Sequence, residues 1–183
     1  SSEMYDAALV IGGAALLWSR RLDFSGMPLL FAALGIAWCA ELLPLTMYSY
    51  GPLSATHVLS LCAVTDLLST IVHMATHQGY LGSWLYESHC LHHKHIHPSA
   101  EDAFVTGLLD ALVQLVLPLF CALWSVCPNR VSAIVFGLLY SQHLIHIHTV
   151  DRGRCLWPLV DPAYHRRHHK TPNTNYSHFF AVC

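Results

Sequence analysis

Residues 53–77 read L-S-A-T-H-V-L-S-L-C-A-V-T-D-L-L-S-T-I-V-H-M-A-T-H. The stretch is mostly apolar and long enough to cross a bilayer as one helix, which takes about 20 residues. It closes on His73 and His77, whose i, i+4 spacing puts both imidazoles on one helix face. Imidazole is the commonest metal-ligating side chain. A membrane-length helix ending in paired imidazoles predicts an all-α integral membrane bundle with a metal site at one end.

The rest of the chain extends this pattern. Further apolar runs cover 28–47, 103–127 and 131–147, the last of marginal length. About four transmembrane helices are therefore expected, in a single membrane-embedded domain over 1–183. A shorter apolar run at 4–18 is preceded by Glu3 and not by a basic region. It reads as a short or interfacial helix, not as a signal-peptide core. Only 11% of residues are charged and mean hydropathy is +0.43, too little polarity to cover a soluble bundle of this size. With a net charge of −2 and no basic stripe, nothing implies nucleic acid as a partner. The seven cysteines (39, 62, 90, 121, 127, 155 and 183) are odd in number, with no C-x-x-C pair. Several lie within apolar runs and read as small core residues, and a disulfide framework is not expected.

Three more histidine clusters follow the first: H-C-L-H-H (His89, His92, His93), H-L-I-H-I-H (His143, His146, His148) and H-R-R-H-H (His165, His168, His169). Together the clusters hold eleven of the 15 histidines. If the four long runs cross or pair as hairpins, all four clusters reach one membrane face. That face also collects Arg20, Arg21, Lys94, Arg152, Arg154, Arg166, Arg167 and Lys170, against Arg130 alone on the other. The excess of Lys and Arg predicts that the histidine face is cytoplasmic.

So many nitrogens suit two metal ions, each with four or so ligands. An all-histidine set fits zinc, copper, iron or nickel. Cys90 lies between two cluster histidines but on a different helix face, and is not expected to ligate. His57 falls on the opposite face, His95 and His97 read as surface or outer contacts, and His178 reads as surface. Asp66 lies two turns before His73 on the same helix face. An intramembrane carboxylate is functional by default, and Asp66 is expected to hydrogen-bond a ligand imidazole from behind. Glu41, before Pro44, reads as a buried polar contact.

The ordered series H-x-x-x-H, H-x-x-H-H, H-T at the end of an apolar helix, then P-x-x-H-x-x-H-H and N-Y resembles the fatty acid hydroxylase/sterol desaturase superfamily. Residues 89–114 resemble its second histidine box and the helix that follows, and 146–176 resemble its C-terminal half. The likeness covers roughly residues 65–180. It implies a membrane enzyme that uses O2 and two electrons to hydroxylate or desaturate a sterol or fatty acyl C–H bond at a histidine-ligated di-iron centre. Zinc is able to substitute for the iron, and a cytochrome b5-type protein is the implied electron donor. Carried over by position, the implied ligands are His73, His77, His89, His92, His93, His148, His165, His168 and His169. The family has a further histidine upstream of the H-T, and His143 fits that place better than His146, which is left as an outer contact. Asp110 matches an acidic position expected to orient a histidine. In a eukaryote the endoplasmic reticulum is the implied membrane.

Two departures stand out. Asn175-Tyr176-Ser177 replaces the family's N-Y-G, and the chain stops about where a further W-D-x-x-F-G-T segment is expected, so the C-terminus reads as truncated. A non-catalytic relative, serving as a structural or accessory subunit of a membrane complex, is the alternative reading. A metal-ion carrier or zinc hydrolase is the third, and it lacks a carboxylate within any box.

Overall fold

The computed structural model describes residues 24–96, 98–148 and 158–181. The run at 4–18, Arg20, Arg21, His97, Arg152 and Arg154 lie outside the described residues. The described chain is mostly helical. A short strand β1 (Phe24–Ser25) leads into α1 (Gly26–Cys39), followed by a one-turn helix at Leu45–Tyr48 and α2 (Ala55–His77). Next come α3 (Ser83–Cys90), one-turn helices at His92–Lys94 and Ala100–Phe104, and β2 (Val105–Thr106). The long helix α4 (Leu108–Val126), α5 (Arg130–Ile147) and α6 (Pro162–Lys170) complete the order. β1 pairs antiparallel with β2, Phe24 opposite Thr106.

Local chemistry sets the boundaries. Ser54 caps α2 by accepting from the His57 N–H, Asn129 caps α5 through Ser132 N–H, and Asp161 caps α6 through Tyr164 N–H. Gly79, at φ 73°, ends the turn after α2 in a conformation that costs glycine little. The expected helix over 28–47 is broken. Glu41 takes a left-handed φ of 57° and Pro44 follows, so α1 stops at Cys39. Its 14 residues make about 21 Å of helix, short of a ~30 Å hydrocarbon core. Among the described residues, two helices are long and apolar enough to cross a membrane, α2 with 23 residues and α4 with 19. In their most apolar windows only 44% and 33% of residues are buried, whereas the core helix of a soluble protein is mostly buried. Leu59, Leu67, Ile71 and Met74 of α2, and Ile134, Leu138 and Leu139 of α5, are exposed. Outward apolar faces on this scale suit lipid better than water.

α2 is the central helix and packs chiefly on α4 and α5. Leu61, Cys62, Ala122, Phe136, Tyr140, Leu144 and Ile147 form the core between them. The chain runs back and forth, so the ends of α2 and α5 and the start of α4 meet at one pole with α3 and α6. The other pole is tied by polar contacts. Arg130 donates to the carbonyls of Met47 (3.3 Å) and Tyr48 (3.1 Å) and sits over the Trp38 and Tyr50 rings. Thr46 Oγ1 donates to Cys127 O, and Asn129 Nδ2 to Pro52 O.

Candidate metal centre

At about 100° per residue, positions i+3 and i+4 flank position i on opposite sides of one face, so the last two histidines of an H-x-x-H-H box diverge by about 100°. That rule divides each H-x-x-H-H box. From the second box, His89 and His93 join His73, His77 and His168 in one group. From the last box, His165 and His169 join His92 and His148 in another. Within each group the ligating nitrogens all lie within 4.8 Å of one another. The groups abut, with the His93 and His169 rings 4.7 Å apart.

The outer nitrogens explain how the rings are aimed. His73 Nδ1 is 2.8 Å from Tyr176 O, His168 Nδ1 2.7 Å from Thr174 O, and His148 Nδ1 2.7 Å from Leu144 O. His92 Nδ1 lies 3.1 Å from Val105 O, and His89 Nδ1 3.0 Å from Asp110 Oδ2. These oxygens only accept, so each Nδ1 carries the proton, and a ring in its neutral form presents a lone pair at Nε2. Yet Nε2 of His73 is 3.0 Å from Nε2 of His89, and Nε2 of His92 is 3.5 Å from that of His148. With the rings neutral, lone pair faces lone pair, an arrangement that a cation between them satisfies. Nitrogens about 2.1 Å from a common ion lie about 3.0–3.4 Å apart for right-angle to tetrahedral geometry. The remaining spacings match: His77–His89 3.0 Å, His89–His93 2.9 Å, His93–His168 3.1 Å, His148–His165 2.9 Å and His165–His169 3.1 Å. The donor set therefore fits two metal ions.

Electrostatics agree. Burial, reinforced by neighbouring imidazoles, pushes His92 down to about 4. Burial outweighs the Thr174 carbonyl bond in lowering His168 to about 2. His93, His165 and His169 move in the same direction for the same leading cause. These rings are neutral at pH 7 and need shed no proton to bind a metal.

Asp110, 4% exposed, also accepts from Thr106 Oγ1 and Gln114 Nε2. Gln114 lies in a π-helical stretch of α4, Ala111–Val116, the kind of distortion that accompanies functional sites. A cavity of about 80 Å³ touches both groups through His89, His92 and His148 and is walled by Phe104, Ala111, Leu115, Tyr140 and Leu144. A second cavity of about 40 Å³ shares Phe104, Leu115, Tyr140 and Leu144 and reaches Gly137 and Leu30.

Not every expected residue arrives. His143 joins neither group, and its Nε2 is 3.1 Å from the His178 carbonyl. His146 is half-buried and also outside both groups. Asp66 does not hydrogen-bond an imidazole as expected. Its carboxylate accepts from the backbone N–H groups of His178, Phe179 and Phe180. His178, read as surface, stacks on the His73 ring at 4.9 Å and 9°. Burial pushes it down to about 3. Its place in the chain gives no periodic signal, because the segment is irregular. His57 sits at the opposite end of α2, and His95 is exposed, 4.0 Å from Asp102. Cys90 is half-buried outside both groups.

A model of the fatty acid hydroxylase family matches residues 58–183. The chain belongs to the fatty acid hydroxylase family. It is 29% identical over 174 residues to a protein of Phaeodactylum tricornutum (strain CCAP 1055/1) named alternative squalene epoxidase, covering 85% of this chain. The chain spans about half the length of that relative, 46%. No solved structure matches. Each of the two histidine groups could hold a metal ion.

Proposed function

We propose that this fatty acid hydroxylase family member oxygenates an apolar lipid with O2 at a pair of iron ions held by nine histidines. His73, His77, His89, His93 and His168 would hold one ion, and His92, His148, His165 and His169 the other. The observation that carries the reading is the facing of Nε2 atoms at 3.0–3.5 Å while their Nδ1 atoms lie against acceptor oxygens. Iron supplies redox chemistry that zinc lacks, though zinc binds such a site more tightly in the usual divalent order.

The protein's own contribution is to aim and insulate. Backbone carbonyls behind His73, His92, His148 and His168, and Asp110 behind His89, orient five of the nine rings, which raises ligand basicity. The apolar cavity beside His89, His92 and His148 admits a hydrocarbon to within reach of both groups. One oxygen atom of O2 would enter the lipid and the other leave as water, consuming two electrons and two protons. The relative's name makes squalene the first substrate to test, with sterol and fatty acyl lipids next, and hydroxylation or desaturation as the alternatives to epoxidation.

In this reading α2 and α4 cross the membrane, and α1 and α5 complete a four-helix bundle as shorter partners. The histidine pole faces the cytoplasm, because Lys94, Arg167 and Lys170 lie there in exposed positions while Arg130 marks the other pole. In a eukaryotic cell the membrane would be the endoplasmic reticulum. Arg167 and Lys170, exposed on α6, would meet an acidic cytochrome b5-type donor.

The test is iron(II) reconstitution in lipid nanodiscs, with a reductant, squalene and 18O2. The reading expects 18O in one lipid product and matched O2 uptake. No uptake with squalene, sterol or acyl substrates would count against it.

A further inference from the structure

Asp66 is a carboxylate inside a membrane-length helix, 2% exposed, and it touches no ligand histidine. It accepts instead from three successive backbone N–H groups: His178 at 3.0 Å and Phe179 at 2.8 Å on Oδ1, and Phe180 at 2.9 Å on Oδ2. Successive N–H groups converging this way form a concavity for an anion. The segment they belong to is the one that holds His73. Tyr176 O takes the His73 Nδ1 proton at 2.8 Å, and the His178 ring lies flat on the His73 ring. The same segment is pinned by His143 on the His178 carbonyl, by Tyr140 stacked on Phe179 at 5.5 Å and 7°, and by Val160 N–H on Phe179 O.

We propose that Asp66 is a positioning residue for the five-histidine site, acting through the 176–180 strap that sets the tautomer and tilt of His73. Asp66 and His73 stand two turns apart on one rigid helix, and the strap bridges them outside it. Removing the carboxylate frees the strap, and with it the carbonyl that orders the His73 Nδ1 proton. The four-histidine group leans on the strap less, its one ring contact among the described residues being His178 beside His165 with centroids 5.9 Å apart. Its His92 and His148 protons go to Val105 O and Leu144 O, both off the strap. The effect of Asp66 is therefore larger at one of two neighbouring sites, which a general loss of packing would not reproduce.

The inference rests on the five-histidine group being a metal site, and it is tested with zinc, so that it stands apart from oxygen chemistry. Zinc-loaded wild type and Asp66→Asn, in nanodiscs, are titrated with a chromophoric chelator. One of the two zinc ions in D66N is expected to leave at about 10–100-fold lower chelator concentration than in wild type, the range for loss of an outer-shell partner. The other ion shifts by a smaller factor. Equal weakening of both ions, or of neither, overturns the proposal. Should D66N fail to fold, the wild type decides. Linkage is reciprocal, so zinc loading must slow hydrogen exchange at the 178–180 amides, and unchanged exchange there overturns the proposal. A wild type holding fewer than two zinc ions contradicts the two-ion reading of function, while the amide measurement still decides the role of Asp66.

Discussion

Acidifying the metal-free protein should unfold its histidine pole well before its carboxylates protonate. His92, His93, His165, His168 and His169 are held neutral in the fold, chiefly by burial, with His92 near 4 and His168 near 2. In the unfolded chain the same side chains titrate near 6.5. Below that pH the unfolded chain binds more protons than the folded one, so stability falls as pH drops. The loss continues until each folded ring protonates. Each ring contributes at most about 1.4 kcal/mol per pH unit. Five together approach about 7 kcal/mol per unit, against a typical total stability of about 5–15 kcal/mol. Thermal unfolding of the metal-free protein, followed by circular dichroism in detergent from pH 7.5 to 5, should show Tm dropping steeply below about 6.5. Zinc loading should shift that drop to lower pH, because the bound ion holds the rings neutral. A Tm that is flat from pH 7.5 to 5 without metal would refute the reasoning, since it would mean the rings are solvated and not packed neutral.

Other consequences are equally specific. Asp110→Asn strips the charge behind His89 and should lower metal affinity at the five-histidine group by about 10–100-fold, measured by chelator competition. His165→Ala should reduce zinc stoichiometry from two to one or fewer, whereas His146→Ala should leave it at two, read by inductively coupled plasma mass spectrometry. Gly137 lines the second cavity, and an added Cβ meets nothing within 4 Å. Gly137→Leu should therefore fill that space, leave the metal content unchanged and reduce turnover of long hydrocarbon substrates. Gly35→Leu, equally unobstructed but on an exposed face, should change neither.

The helical bundle and its histidine pole are legible in the sequence because they rest on periodicity. The i, i+4 spacing of His73 and His77 and the length of the run before them need no tertiary information. That the third ring of an H-x-x-H-H box can turn towards a second ion is also readable from spacing, whereas the division into five and four required the fold. Two features required the folded chain. The run at 28–47 is apolar throughout, but the left-handed Glu41 and Pro44 end α1 at Cys39, a backbone event that hydropathy does not register. Asp66 shares a helix face with His73, which made a direct contact plausible. The partner that claims it comes from 112–114 residues away in an irregular segment. His178 was unreadable for the same reason, since neither helical nor strand period marks it. His143 sits one helical turn before Ile147, but its ring turns to the strap and away from the ligand groups.

The central claim is tested most directly by X-ray absorption on iron-loaded protein. Two iron ions per chain, each in a shell of imidazole nitrogens near about 2.1 Å with outer-shell imidazole scattering, is the predicted result. A single ion per chain, or a shell dominated by sulfur or by water with no imidazole signature, would contradict it.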